Sequence, residues 1–77
     1  MKLEVRTEIR GREVVLVWDG ERLTGDPEFV RRVQRYAEIA EVDVGDTDAV
    51  AVTDLCRRAV PAPLRIHVTE GEGLVEA

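Results

Sequence analysis

From Lys2 to Arg10 the chain alternates without a break, Leu3, Val5, Thr7 and Ile9 against Lys2, Glu4, Arg6, Glu8 and Arg10. A period of two marks a strand with one face buried. Gly11-Arg12 follows and suits a type II′ turn, which takes Gly at its first central position. That turn sets a register in which Arg10 faces Glu13, Ile9 faces Val14, Thr7 faces Leu16 and Val5 faces Trp18. Turn chemistry and apolar pattern thus agree on an N-terminal hairpin.

The returning strand raises a difficulty. Val14, Val15, Leu16, Val17 and Trp18 are apolar in succession, yet a strand sends alternate side chains to opposite faces. Val15 and Val17 therefore fall on the outer face, beside Glu8 and Arg6 in this register. Three covers compete: the methylene stems of Arg6 and Arg10, the chain's own tail through Leu74 and Val75, or a second protein surface. Asp19-Gly20 then signals a type I′ turn, returning Glu21 to Thr24 along the second strand with Leu23 opposite Leu16.

Helical periodicity begins after Asp26-Pro27. The aspartate can cap a helix, and proline at the first helical position loses nothing by lacking an N–H. Phe29, Val30, Val33, Tyr36, Ala37 and Ala40 share one arc, and Glu28 and Arg32 form an i,i+4 pair. The helix should end near Glu41 or Val42. A second helix is expected from about Thr47 to Val60, capped by Asp46 or Thr47 and stopped by Pro61 and Pro63. Its buried face would hold Ala49, Val52, Leu55, Cys56, Ala59 and Val60, with Val50 misplaced. Leu64, Ile66 and Val68 alternate inward and Arg65, His67 and Thr69 outward in a final strand.

These elements predict an α+β domain over residues 1–70, in the order ββααβ. A small antiparallel sheet, made of the hairpin and the C-terminal strand, carries one or two helices on one face. Reading 49–52 as a strand gives the alternative, a β-grasp-like ββαββ order. Residues 71–77 read as an acidic, Gly-broken, flexible tail.

Composition narrows the function. A chain of 77 residues has a single small core and a thin stability margin, which small scaffolds offset with disulfides, metals or oligomerisation. One cysteine, Cys56, permits no intrachain disulfide and fits a reducing compartment. The opening MKLEVRTE lacks the apolar stretch of a signal peptide, and no run approaches the length of a membrane span. A cytoplasmic location is expected. The net charge of -5 opposes general attraction to nucleic acid or anionic membranes. The chain has no Ser, which removes serine nucleophiles, and ten Arg against one Lys. The arginine bias and scarcity of amides fit a heat-adapted source.

No catalytic set emerges. His67, the one histidine, projects from the outer face of a strand, and Cys56 from the inner face of a helix, so neither activates the other. Asp43, Asp46 and Asp48 cluster, but without EF-hand spacing, and carboxylates before a helix are what capping selects. Neither GEG nor TGD forms a strand-to-helix glycine fingerprint. No enzyme activity, metal, cofactor or small-molecule substrate is expected.

Two surfaces remain. Arg31, Arg32 and Arg35 line the polar side of the first helix with Ile39 exposed among them, and guanidinium forks suit carboxylates and phosphates. Val15, Val17 and Arg6 form the outer sheet face. The expected function is a small non-enzymatic domain working through protein–protein contact, self-association above all. The alternative is a weak anion- or nucleic-acid-binding module using the arginine face.

Overall fold

A computed structural model describes residues 1–69; the tail at 71–77, with Leu74 and Val75, lies outside the described residues. Strands β1 (Lys2–Ile9), β2 (Arg12–Trp18) and β3 (Leu23–Gly25) precede helices α1 (Pro27–Ala40) and α2 (Ala49–Ala59), and β4 (Arg65–Thr69) follows. The strands form one antiparallel sheet in the order β3-β2-β1-β4. The protein is α+β, with its helices on one face of a small sheet. Residues 49–52 open α2, which removes the β-grasp order. No helix among the described residues is long and apolar enough to cross a membrane.

The hairpin forms, but its turn and register differ from expectation. Ile9 pairs with Arg12, Thr7 with Val14, Val5 with Leu16 and Leu3 with Trp18. The central turn residues are Arg10 and Gly11, both at positive φ (55° and 77°), which is type I′ geometry, not the type II′ turn at Gly11-Arg12. The slip is two residues, so every side chain keeps its face and only its partner changes. The physical gain lies at the far end. A type II′ register would leave Leu3 facing the loop after Trp18, whereas the observed ladder sets Leu3 against Trp18 and buries both. That outweighs a left-handed Arg10, a cost on the order of 1 kcal/mol.

The second turn is also wider than expected. Asp19-Gly20 does not make a two-residue type I′ turn; Asp19 to Arg22 form a four-residue loop. The Asp19 carboxylate accepts the N–H groups of Glu21 and Arg22 at 2.9 and 2.8 Å, and the Asp19 N–H donates to the Arg22 carbonyl. Leu23 consequently pairs with Trp18, not Leu16, and Gly25 takes the place opposite Leu16.

Asp26 caps α1 as expected, its carboxylate accepting the Phe29 N–H at 3.1 Å, and Pro27 opens the helix. Glu41 ends it in the left-handed region (φ 57°), and the Val42 N–H closes the last turn on the Ala37 carbonyl at 2.8 Å, an ordinary C-terminal stop. Ala40, expected inward, is exposed because the last turn runs past the core. Helix α2 starts later than expected and is capped by Asp48, which accepts the Ala51 N–H at 2.9 Å, rather than by Asp46 or Thr47.

Helix α1 lies over β2 and β3, and α2 lies over β1 and against α1. Between them and the sheet are Leu3, Val5, Leu16, Trp18, Phe29 and Val33 with Val52, Leu55 and Cys56. Trp18 satisfies its indole N–H on the Val44 carbonyl at 2.7 Å, which fastens the α1–α2 connection to the end of β2. Buried Thr7 donates to the Pro63 carbonyl at 2.9 Å, holding the proline segment against β1. Ile66 and Val68 face the core side, opposite Val5 and Leu3, but are 37% and 46% exposed. The expectation of a buried inner face fails at β4, which lies at the sheet edge beyond the strand that α2 covers.

Two substitutions test this backbone. Arg10→Asn places a residue that tolerates the left-handed region in the turn and should stabilise the fold by about 1 kcal/mol, read as a higher urea midpoint with unchanged slope. Gly25 sits at φ 116°, and a Cβ there would run into the Val15 carbonyl oxygen. Gly25→Ala should therefore destabilise by about 2 kcal/mol or more; a wild-type midpoint would disprove the close approach.

Candidate functional site

Polar chemistry concentrates where the hairpin tip meets the first turns of α1. Glu28 sits in the first turn, where the helix dipole favours a carboxylate. The type I′ turn swings Arg10 and Arg12 toward it. Glu28 Oε2 lies 3.0 Å from Arg32 Nη2 and 3.4 Å from Arg10 Nη2, and Oε1 lies 3.7 Å from Arg12 Nη2. Arg12 also donates to Asp26 Oδ1 at 3.1 Å. The Phe29 N–H, and then the Arg12 guanidinium, hold the Asp26 carboxyl below its usual range against the cost of desolvation. Arg32 reaches further and donates through Nη1 to the Ala59 carbonyl at 3.3 Å, bridging α1 to the end of α2.

Arg31 and Arg35 complete the cluster. With Arg10, Arg32, Glu28, Tyr36 and Ala59 they line a depression of about 380 Å³. Among the described residues, no carboxylate lies within 4 Å of either guanidinium. The structure thus brings Arg31, Arg32 and Arg35 to one depression and adds Arg10 to its lining, while Arg12 joins the cluster through Asp26 and Glu28. Sequence reasoning missed those two, although Arg12 next to a turn and two acidic residues at a helix start were the available signal. Ile39 is 67% exposed and does not border this depression.

The outer sheet face is organised differently. In the observed register Val15 lies opposite Arg6 and Val17 between Glu4 and Thr24, replacing the expected neighbours Glu8 and Arg6. Both valines are half-buried. Arg6 pairs with Glu4 at 2.6 Å, and Arg65 reaches across β1 to Glu13. His67 is exposed on this face opposite Glu4.

The larger exposed apolar side chains gather elsewhere. Val50 of α2 is 73% exposed and shares a shallow groove of about 240 Å³ with Ala49, Thr53, Arg57 and Val68. Ile66 lies on the same face of the sheet as Val68. Beyond β4 the sheet carries no further strand among the described residues.

Cys56 is fully buried on α2, away from His67. Desolvation pushes its thiol up to about 12, against a smaller opposing pull from Arg57. Asp43 spends its carboxylate on the Gly45 N–H, at 2.9 Å, and Asp48 on the α2 cap. Among the described residues, no three potential metal ligands gather. Compared with protein-family models, curated proteins and solved structures, the chain matches none.

The thiol generates a prediction with a definite sign. Between the ordinary thiol value near 9 and the folded value of about 12, the unfolded chain loses a proton that the native chain keeps. Native stability should therefore fall as pH rises through that window. Cys56→Ala should remove this component, so the wild-type and variant alkaline unfolding curves should converge above pH 9; parallel curves would refute the raised value. Native Cys56 should also react with thiol reagents no faster than the protein opens.

Proposed function

We propose that this chain is a non-enzymatic, cytoplasmic protein–protein contact domain that pairs with a second copy of itself along the edge of β4 that no other described strand occupies. The observation that carries this reading is the exposed apolar inner face of that edge strand. An open edge offers unpaired N–H and C=O groups to another strand, and Ile66, Val68 and Val50 offer apolar surface beside it. Some edge strands are shielded by proline or inward-pointing charge; within β4 the core side carries only Ile66 and Val68.

The strand is also self-complementary. An antiparallel two-fold through His67 sets Ile66 of one copy against Val68 of the other, twice, on the apolar side. On the outer side it sets Arg65 against Thr69, twice, with no acidic clash. The two-fold is the simplest symmetry for a chain meeting itself. A second copy explains the exposure better through β4 than through Val15 and Val17, which their own sheet half-covers.

Magnitudes make the contact modest. Full burial of an aliphatic side chain contributes about 1.5–3 kcal/mol, and these side chains are partly covered already. Association costs about 4–15 kcal/mol in lost freedom, so strand-to-strand hydrogen bonds must carry part of the affinity. Dimerisation should depend on concentration.

Light scattering across a concentration series supplies the test. Wild type should pass from monomer to dimer, and Ile66→Thr/Val68→Thr, which keeps β propensity, should raise the dissociation constant about tenfold or more with the fold retained. A monomer at all concentrations, including after truncation at Thr69 to remove the following segment as an occupant, overturns the reading. Dissociation by Val15→Thr/Val17→Thr instead moves the interface to the outer face and also overturns it.

A further inference from the structure

We infer that the depression between the hairpin tip and α1 is a binding site for a phosphomonoester dianion. Four guanidiniums, from Arg10, Arg31, Arg32 and Arg35, meet one carboxylate there, Glu28, leaving an excess of three positive charges. This excess stands in a chain whose net charge is -5. Glu28 is already shared among three arginines and Asp26 is held by Arg12 and the helix cap, so neither has capacity left for Arg31 and Arg35.

Those two stand four residues apart on one ridge of α1, a spacing at which like charges oppose the helix. A ligand bearing two negative charges and three acceptor oxygens relieves that repulsion and accepts several forks at once. Tyr36, half-buried, also lines the depression, and its phenol is a further donor. A single carboxylate would neutralise one of the three excess charges, a dianion two.

The compactness of the cluster argues against nucleic acid. An extended polyanion rewards a track of basic residues along its backbone, whereas here the charge is confined to one depression. The remaining surface of an acidic chain would repel a long strand. Two sources carry this group: a free phosphorylated metabolite and a phosphorylated side chain. Both offer the same chemistry to the site.

Titration of the ¹⁵N-labelled full chain decides the matter, with side-chain Nε–Hε signals as the readout. Inorganic phosphate and O-phosphoserine should shift the arginine signals of Arg31, Arg32 and Arg35 saturably, with dimethyl phosphate, a monoanion, about tenfold weaker. Arg31→Gln/Arg35→Gln should weaken O-phosphoserine binding about tenfold or more. Arg22→Gln/Arg57→Gln makes the same change in net charge away from the depression and should leave binding within about twofold. Equal losses in both variants would reduce the effect to net charge and overturn the site. So would the absence of saturation at tens of millimolar, or a single-stranded oligonucleotide binding more tightly than the monoester. A phosphoserine peptide binding well above O-phosphoserine would identify a protein source, and equal affinities a small-molecule source; the site stands in either case. Dimerisation is scored in the same samples, so failure of the edge-strand contact and failure of this site are separate results.

Discussion

At Gly25 the third strand passes so close to the Val15 carbonyl that no side chain fits between them, and the next N–H, that of Asp26, donates to the same oxygen at 2.8 Å. The chain leaves the sheet at this point and α1 begins. Glycine is required because φ is left-handed and the neighbouring backbone occupies the space of a Cβ. Asp26 then serves three partners: its N–H holds Val15, and its carboxylate receives Phe29 and Arg12. The start of α1 is thus fixed over β2, Arg32 carries that placement to α2, and Trp18 fixes the connection between the helices through Val44. Phe29 and Val33 enter the core because the junction aims them there.

The ion pairs of the outer sheet face and those around Glu28 differ in kind. On the outer sheet face, Arg6–Glu4 and Arg65–Glu13 are exposed pairs across or along strands, and such pairs contribute little each. Around Glu28 the situation differs. Its side chain is only 18% exposed, and three guanidiniums share it, so deleting any one arginine still leaves the carboxylate partnered. That redundancy allows the cluster to retain its shape while Arg31 and Arg35 have no carboxylate within 4 Å among the described residues.

Much of this architecture was legible in the sequence where the information is local. Alternation assigned the faces of β1 and β2, and Asp26-Pro27 marked the start of α1, because capping and proline geometry act over a few residues. The hairpin register was not legible for a specific reason: a slip of two residues preserves alternation, so the apolar pattern is equally content with both ladders. Only the pairing of Leu3 with Trp18, at the end furthest from the turn, separates them, and it forces Arg10 into a conformation no local rule assigns to arginine. The cap of α2 was ambiguous because Asp46, Thr47 and Asp48 all suit the role. The exposure of Ile66 and Val68 depends on β4 occupying the edge beside β1, a fact of sheet order that alternation within β4 does not encode. Val50 did carry a local signal, as the one apolar residue off the buried arc of its helix. For the arginine cluster, Arg31, Arg32 and Arg35 followed from helical spacing, whereas Arg10 and Arg12 joined through the curl of the hairpin.

The placement of α2 has a consequence in time. Among the described residues, five of the fifteen buried apolar side chains, Val52, Leu55, Cys56, Ala59 and Val60, belong to α2 and its cap, and β4, the second strand to pair with β1, comes later still. As the chain leaves the ribosome, the hairpin and α1 emerge first with part of their apolar face bare. Thr7 waits for the carbonyl of Pro63, 56 residues downstream. The core therefore stays unsealed until α2 and β4 have emerged, and the last third of the described chain arrives as the lid that ends its exposure to chaperones and proteases.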